Sequence, residues 1–286
     1  MVLARLTAPR AAVAGLSMDR PRLMGIVNVT PDSFSDGGLF DAPDAALRQA
    51  RRLAQEGADL LDIGGESTRP GAETVPPETE IARTAPVIAA IRAGFGGPIS
   101  IDTRKAAVGR AAFGAGANML NDVSALTFDP EMAPFVAAAG APLCLMHAQG
   151  TPEVMQRAPH YDDVLLDVYD ALAAHVETAL AAGIERRNIL VDPGIGFGKT
   201  LAHNLRLLAG LSLFHALGCT ILLGASRKRF IGTLGGGDAA QDRAAGSVGV
   251  ALAAVAQGVQ ILRVHDIADT RQALTLWQAA VNGADE

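Results

Sequence analysis

Short apolar runs recur along this chain at intervals that fit one architecture. Residues 23–27, 59–63, 99–101, 118–120, 142–146, 189–191 and 220–223, with an eighth run opened by Ile261-Leu262, have the length and branched character of buried strands. Between and after them, 42–57, 78–92, 105–114, 133–139, 164–183, 204–217, 244–258 and 270–281 carry apolar residues at helical spacing. Strictly alternating strands and helices specify a parallel sheet, and eight alternations in about 250 residues specify a closed α/β TIM barrel, (β/α)8. A doubly wound open sheet is the competing fold, but it normally has fewer strands and no dinucleotide fingerprint appears here. Residues 1–20 fall outside the eightfold pattern and are expected to plug the barrel bottom, leaving 21–286 as a single barrel domain. The run Gly235-Gly-Gly237 reads as a mobile linker within it.

The apolar runs end in polar side chains: Asn28, Asp62, Asp102, Asn121, His147, Asp192 and Arg263, with Lys228 a few residues past the seventh run. In a parallel barrel these ends share one face, so residues scattered over the chain line one cavity. Capping or turn duty is the competing reading for Asp32, Ser124 and Asp266. It fits Asp102, Asn121 and Asp192 less well, because these terminate apolar strands at the barrel mouth. A carboxylate losing water there needs a partner. Lys228 and Arg263 are expected partners for Asp102 and Asp192, as is a ligand presenting N–H groups.

Composition narrows the function. A net charge of -6 over 286 residues excludes a broad nucleic-acid surface, though not a small anionic substrate in a local basic pocket. Cys144 and Cys219 are the only cysteines and form no C-x-x-C, so neither a disulfide framework nor a zinc cluster is expected, and a reducing cytoplasm is the default. Residues 1–18 hold Arg5 and Arg10 and no acid, but 11–16 is too short for a signal core. No apolar run reaches membrane-spanning length. Two motifs are decoys. The stretch ending Gly198-Lys-Thr200 has Pro193 where a phosphate-binding loop needs its first glycine, and Lys199 stands where a dinucleotide motif needs its third. His160, His175, His203 and His215 lack metal-ligand spacing and are expected at exposed positions.

Several blocks occur in a fixed order: Asn28-Val-Thr-Pro-Asp-Ser-Phe-Ser-Asp-Gly-Gly38, Gly64-Gly-Glu-Ser-Thr-Arg-Pro-Gly71, Ile101-Asp-Thr103, Asn121-Asp122, Leu145-Met-His147, Asp192-Pro-Gly194, Ser226-Arg-Lys228 and Arg263-Val-His-Asp266. From Met24 to about Trp277 the chain resembles the dihydropteroate synthases. The resemblance implies a Mg²⁺-dependent transferase joining p-aminobenzoate to hydroxymethyl-dihydropterin pyrophosphate. It implies that Asp102, Asn121, Met146, Asp192, Lys228 and Arg263 bind the pterin. Thr68, Arg69, Ser226, Arg263 and His265 would take the pyrophosphate, and Asn28 the metal. Asp32, Ser33, Phe34 and Ser35, with Asp102 and Lys228, would complete the catalytic set, and the loops at 32–36 and 67–71 would close over it. A homodimer through 244–258 is implied, with Gly246, Ala253 and Ala254 at the interface. Two other readings remain: a pterin-binding methyltransferase, which has no use for the Ser-Thr-Arg-Pro and Ser-Arg-Lys anion donors, and a non-catalytic paralogue, whose loops would be damaged.

Overall fold

Hydrogen bonding between the first and last strands closes the sheet: Arg22 pairs with Ile261 and Gly25 with Val264, in parallel register. The computed structural model describes residues 5, 8–30, 42–67, 72–150 and 158–283. The strands are β1 (Arg22–Asn28), β2 (Leu60–Gly64), β3 (Ile99–Asp102), β4 (Met119–Asp122), β5 (Leu143–Met146), β6 (Ile189–Asp192), β7 (Thr220–Leu223) and β8 (Ile261–Val264). They form a closed barrel in sequence order. Around it run α1 (Ala42–Gln55), α2 (Pro77–Arg92), α3 (Ala106–Gly114), α4 (Met132–Ala139), α5 (Val164–Ala181), α6 (Leu201–Ala209), α7 (Arg229–Gly235), α8 (Ala244–Ala256) and α9 (Ile267–Asn282).

The twofold repeat of the strands sorts the side chains. Leu23, Val27, Leu61, Ile63, Ile101, Leu143, Val191 and Ile221 point outward and join the helices in one buried layer. Met24, Leu60, Met119, Cys144, Leu190, Leu222 and Ile261 point inward and fill the N-terminal half of the barrel. Each apolar side chain so removed from water stabilises the fold by about 1.5–3 kcal/mol. The expected plug is present. Val13 and Leu16 exchange backbone hydrogen bonds of 2.9 Å, and Val13 joins the inward cluster with Ala14, Leu16 and Met18 packed beside it. Arg22 fastens this segment to β1, donating from Nε to the Ser17 carbonyl and from Nη2 to Asp19, each at 2.7 Å.

Local chemistry explains several helix starts. Asp163 caps α5 by accepting from the Leu165 amide at 2.9 Å, and Thr200 caps α6 by accepting from the His203 amide at 3.2 Å. Four points of the sequence reading are corrected. The segment 204–217 is not one helix: α6 stops at Ala209, and Gly210 leads into a 3-10 stretch, Leu211–Leu217. A helix unforeseen in the sequence, α7, follows Lys228 and buries Phe230 and Ile231. The glycine run after it is tied down, since Arg243 donates from Nε to the Gly237 carbonyl at 2.9 Å and from Nη2 to the Asp238 carbonyl at 2.6 Å. Nor are all the histidines exposed: His215 is half-buried against the Gln257 carbonyl at 2.9 Å.

Candidate active site

Above the apolar half, the same inward alternation places Asn28, Asp62, Asp102, Asn121, Met146, Asp192 and Arg263 toward the mouth. Their centre is a guanidinium shared by two carboxylates. Arg263 on β8 donates from Nε to Asp62 Oδ2 at 2.6 Å and from Nη2 to Asp102 Oδ2 at 2.9 Å. Asn121 adds a bond from Nδ2 to Asp62 Oδ2 at 3.2 Å. The other oxygens, Asp62 Oδ1 and Asp102 Oδ1, are buried without a partner among the described residues. Burial, then the neighbouring Asp62 charge, pushes the Asp102 carboxyl up to about 8 against the opposing pull of Arg263. Burial alone would lower the Arg263 pKa, but Asp62 and Asp102 outweigh it and hold the guanidinium firmly charged.

Asp192 ends β6 nearby and is 6 % exposed. Its Oδ1 accepts from the Gly194 amide at 2.7 Å, and burial raises its pKa against the opposing charges of Lys228 and Arg263. Neither cation forms an ion pair with it, which corrects the expected pairing. Arg263 is taken by Asp62 and Asp102, and the Lys228 amine donates to the Ile195 carbonyl in the turn after β6. Lys228 also lies 4.3 Å from the centre of the Phe197 ring. Burial lowers the Lys228 pKa to about 8, against the pull of Asp192. The expectation holds for Asp102, whose partner is Arg263.

Ser226 and His265 meet as well. The Ser226 hydroxyl lies 3.0 Å from His265 Nδ1 and accepts from the His265 amide at 3.2 Å. Between Ser226 and Lys228, Arg227 adopts a left-handed backbone (φ 58) secured by the Asp266 carboxylate, while its amide donates to Ser247 Oγ at 2.8 Å. Asp266 thus spends its side chain on Arg227 rather than on capping α9.

Two strand-end residues turn away from the cavity. Asp122 accepts from Ser124 N at 2.8 Å, Ser124 Oγ at 2.6 Å and Leu126 N at 2.7 Å, so its carboxylate organises the loop after β4. His147 lies beside Lys199. Asp32, Ser33, Phe34, Ser35, Thr68 and Arg69 lie outside the described residues. The root of the 67–71 loop is described. Glu66 receives Lys105 and Arg104, each at 2.6 Å, and also accepts from the Val75 amide at 2.7 Å, which fixes both ends of that loop. Asp62 is expected from the sequence as one of the strand ends lining the cavity but without a ligand role, and nothing in the sequence marks Glu66, Phe197 or Lys199 as site residues. Asp62 was visible as a charge inside an apolar strand, whereas Glu66 and Lys199 acquire meaning only from partners distant in sequence.

The described residues contain no cluster of three or more His, Cys, Asp or Glu able to hold a metal. Asn28 nevertheless fits a hard cation. A Cβ on Gly64 would stand 3.7 Å from Asn28 Oδ1 and 3.9 Å from Asp102 Oδ2, so an amide and a carboxylate oxygen border the space that glycine leaves open. Oxygen donors of this kind suit Mg²⁺.

Comparison with known proteins points the same way. Residues 24–265 match the family model described as pterin binding enzyme. A dihydropteroate synthase of Neisseria meningitidis serogroup C is 48% identical over 267 residues, covering 92% of this chain and 94% of the relative. The Xanthomonas albilineans dihydropteroate synthase solved with 4-aminobenzoic acid superposes with a TM-score of 0.90 at 51% identity, covering 98% of this chain and 100% of that one. The same enzyme solved with 7,8-dihydropteroate gives a TM-score of 0.85 at 48% identity, covering 94% and 97%. The barrel with its charged mouth therefore belongs to the dihydropteroate synthases, the pterin-binding transferases of folate biosynthesis that condense hydroxymethyl-dihydropterin pyrophosphate with p-aminobenzoate.

Proposed function

We propose that the cavity above Met24 and Leu60 performs this condensation with the following division of labour. The observation that carries it is Asp192, a desolvated carboxylate with one backbone donor and no ion pair. Such a group is complementary to the guanidine-like N–H edge of a pterin, which it grips with two parallel charge-assisted bonds. Asn121 and Lys228 take the remaining ring heteroatoms, and Met146 with the guanidinium face of Arg263 walls the ring. Ser226, His265 and Arg263, joined by Thr68 and Arg69, take the pyrophosphate. Asn28 with neighbouring oxygens holds Mg²⁺, which when bound neutralises charge on the pyrophosphate.

In the reaction the C–O bond to pyrophosphate breaks, and its electron pair leaves with the pyrophosphate. The p-aminobenzoate nitrogen then forms the new C–N bond and releases a proton. Asp62 and Asp102, which share the single Arg263 and each keep one buried oxygen without a partner among the described residues, stabilise the positive pterin-methyl group; no protein nucleophile is required. Asp32, Ser33, Phe34 and Ser35 close over the aryl amine, where a sulfonamide competes. A homodimer fits the exposed small residues Gly249 and Ala253 on α8 and exposed Leu276 on α9, whereas Ala254 faces the core. A cytoplasmic setting agrees with Cys144 and Cys219, both buried and unbridged. Also, no described helix is long and apolar enough to cross a membrane.

The test is pyrophosphate release from the pterin substrate with Mg²⁺, with and without p-aminobenzoate. Release coupled to dihydropteroate and blocked by a sulfonamide supports the assignment. Pterin binding without turnover favours the methyl-transfer or paralogue readings. Absence of pterin binding refutes the site.

A further inference from the structure

Lys199 ends the glycine-rich stretch that imitates a phosphate loop, yet it points to no anion. It is 3 % exposed, and its Nζ lies 2.9 Å from the Phe197 carbonyl, 2.9 Å from His147 Nδ1 and 3.4 Å from the His147 carbonyl. Three acceptors meet the three donors of an ammonium, but all are neutral, and no carboxylate pairs with it among the described residues. A charge buried this way detracts from stability, and an apolar side chain of similar length would fill the space at less cost. Burial first, then the charge of Lys228, lowers the Lys199 pKa to about 7 against Asp192. His147 is held down to about 3 by burial and then by Lys199, so its ring is neutral and Nδ1 accepts while Nε2 carries the proton.

The surroundings show what this arrangement does. The turn after β6 and the end of β5 are interlocked. A Cβ on Gly194 would fall 1.8 Å from the His147 carbonyl and one on Gly198 2.6 Å from the Gln149 carbonyl, at φ values of +66 and +63. Tyr161 donates its hydroxyl to the Gly198 carbonyl at 2.9 Å, and the Phe197 amide donates to the Gly194 carbonyl at 3.1 Å. This same turn presents the Ile195 carbonyl and the Phe197 ring to Lys228.

We propose that Lys199 is a positioning residue for Lys228: by joining the Phe197 carbonyl to His147, it holds the 194–198 turn where Ile195 and Phe197 fix the Lys228 amine and keep it from pairing with Asp192. The inference rests on the reading of Lys228 as a substrate-binding group. Loss of the clamp frees the turn, releases Lys228 from the Ile195 carbonyl and lets it approach Asp192.

The experiment is Lys199→Met in the full chain, with steady-state kinetics over pH, calorimetric pterin binding and thermal melting. A misplacement of about 1 Å in a reacting site lowers turnover on the order of a hundredfold, so kcat should fall by about tenfold to a hundredfold, and pterin affinity should fall with it because Lys228 contacts the ring. The melting temperature should stay level or rise, because an unpaired buried charge is removed. The groups facing Lys228 are Asp192 from β6, Arg263 from β8 and Lys199 itself. The basic limb of the rate profile should therefore move to higher pH as Lys228 nears Asp192. His147→Phe, which removes the other end of the clamp and retains a ring, should reproduce the loss, and the double variant should add little to either single one. Unchanged kcat and an unmoved basic limb in Lys199→Met overturn the proposal. Activity falling only in proportion to lost stability does so too, as does failure of both single variants to fold, which assigns Lys199 to the scaffold. If wild-type protein releases no pyrophosphate, the reading of the site fails instead, and the clamp is then judged by pterin affinity alone.

Discussion

Asparagine at position 192 replaces one carboxylate oxygen by an amide nitrogen and removes a charge from a pocket that gives it one backbone donor. The Gly194 amide requires an acceptor on the inner side, so the asparagine oxygen is drawn there and the NH2 group faces the ligand. A pterin N–H edge then meets a donor where it needs an acceptor. Two charge-assisted bonds, each worth about 1.5–3 kcal/mol, give way to at most one neutral bond of about 0.5–1.5 kcal/mol, so binding weakens by about 2–4 kcal/mol, roughly 30- to 700-fold. Folding responds differently. Burial raises the Asp192 pKa, so ionised Asp192 detracts from stability at neutral pH, and asparagine should leave the melting temperature level or raise it. Isothermal calorimetry with the pterin substrate and a thermal melt at pH 7 measure both. A fall of several degrees in the melt with little change in affinity would show that Asp192 serves the scaffold and would refute the assignment.

Asp102→Asn tests the shared guanidinium. The folded Asp102 pKa is raised to about 8, so the stability linked to its protonated form is fully present below about pH 4 and lost as pH rises through about 8. The variant should therefore gain on the wild type between pH 5 and pH 9 in melts across that range; a gain shrinking toward pH 9 contradicts the sign. Glu66→Gln leaves Arg104 with a neutral partner at the loop root and Lys105 with Glu80 as its remaining carboxylate, and urea unfolding should show a loss approaching the about 3–5 kcal/mol of a broken buried pair. Met24→Ala opens the dry cluster under the site and should cost about 2–5 kcal/mol by the same method, with calorimetric pterin affinity unchanged.

The barrel was legible because each strand carries its own signal, a few branched residues bounded by turn chemistry, and because repetition leaves few folds. Position at a strand end then located Asp102, Asn121, Asp192 and Arg263 without knowledge of a single contact. Side-chain direction was less legible. Asp122 and His147 also end strands, but one residue of register sends them to the outer side, where Asp122 folds a loop and His147 meets Lys199. The partner of Lys228 was not readable at all, since it is a backbone carbonyl and every residue has one. Glu66 and Lys105 are 39 positions apart, and no local pattern announces such a pair. Helix α7 escaped notice because its few residues sit between a loop motif and a glycine run.

The bond from Arg263 to Asp62 spans 201 residues and joins the last strand to the second. At about 5–20 residues per second, the ribosome needs about 10–40 s to make that stretch. Throughout that interval Asp62, joined by Asp102 for the last 161 residues of it, exists without its cation, on strands whose sheet is still open at one edge. The pocket's charge balance and the closing seam between β1 and β8 thus arrive together, with the same few residues. A nascent or truncated chain ending before Arg263 has most of the barrel's apolar surface and most of its pocket residues but not the cation that joins Asp62 to Asp102, and such fragments should fail to retain pterin however much secondary structure they display.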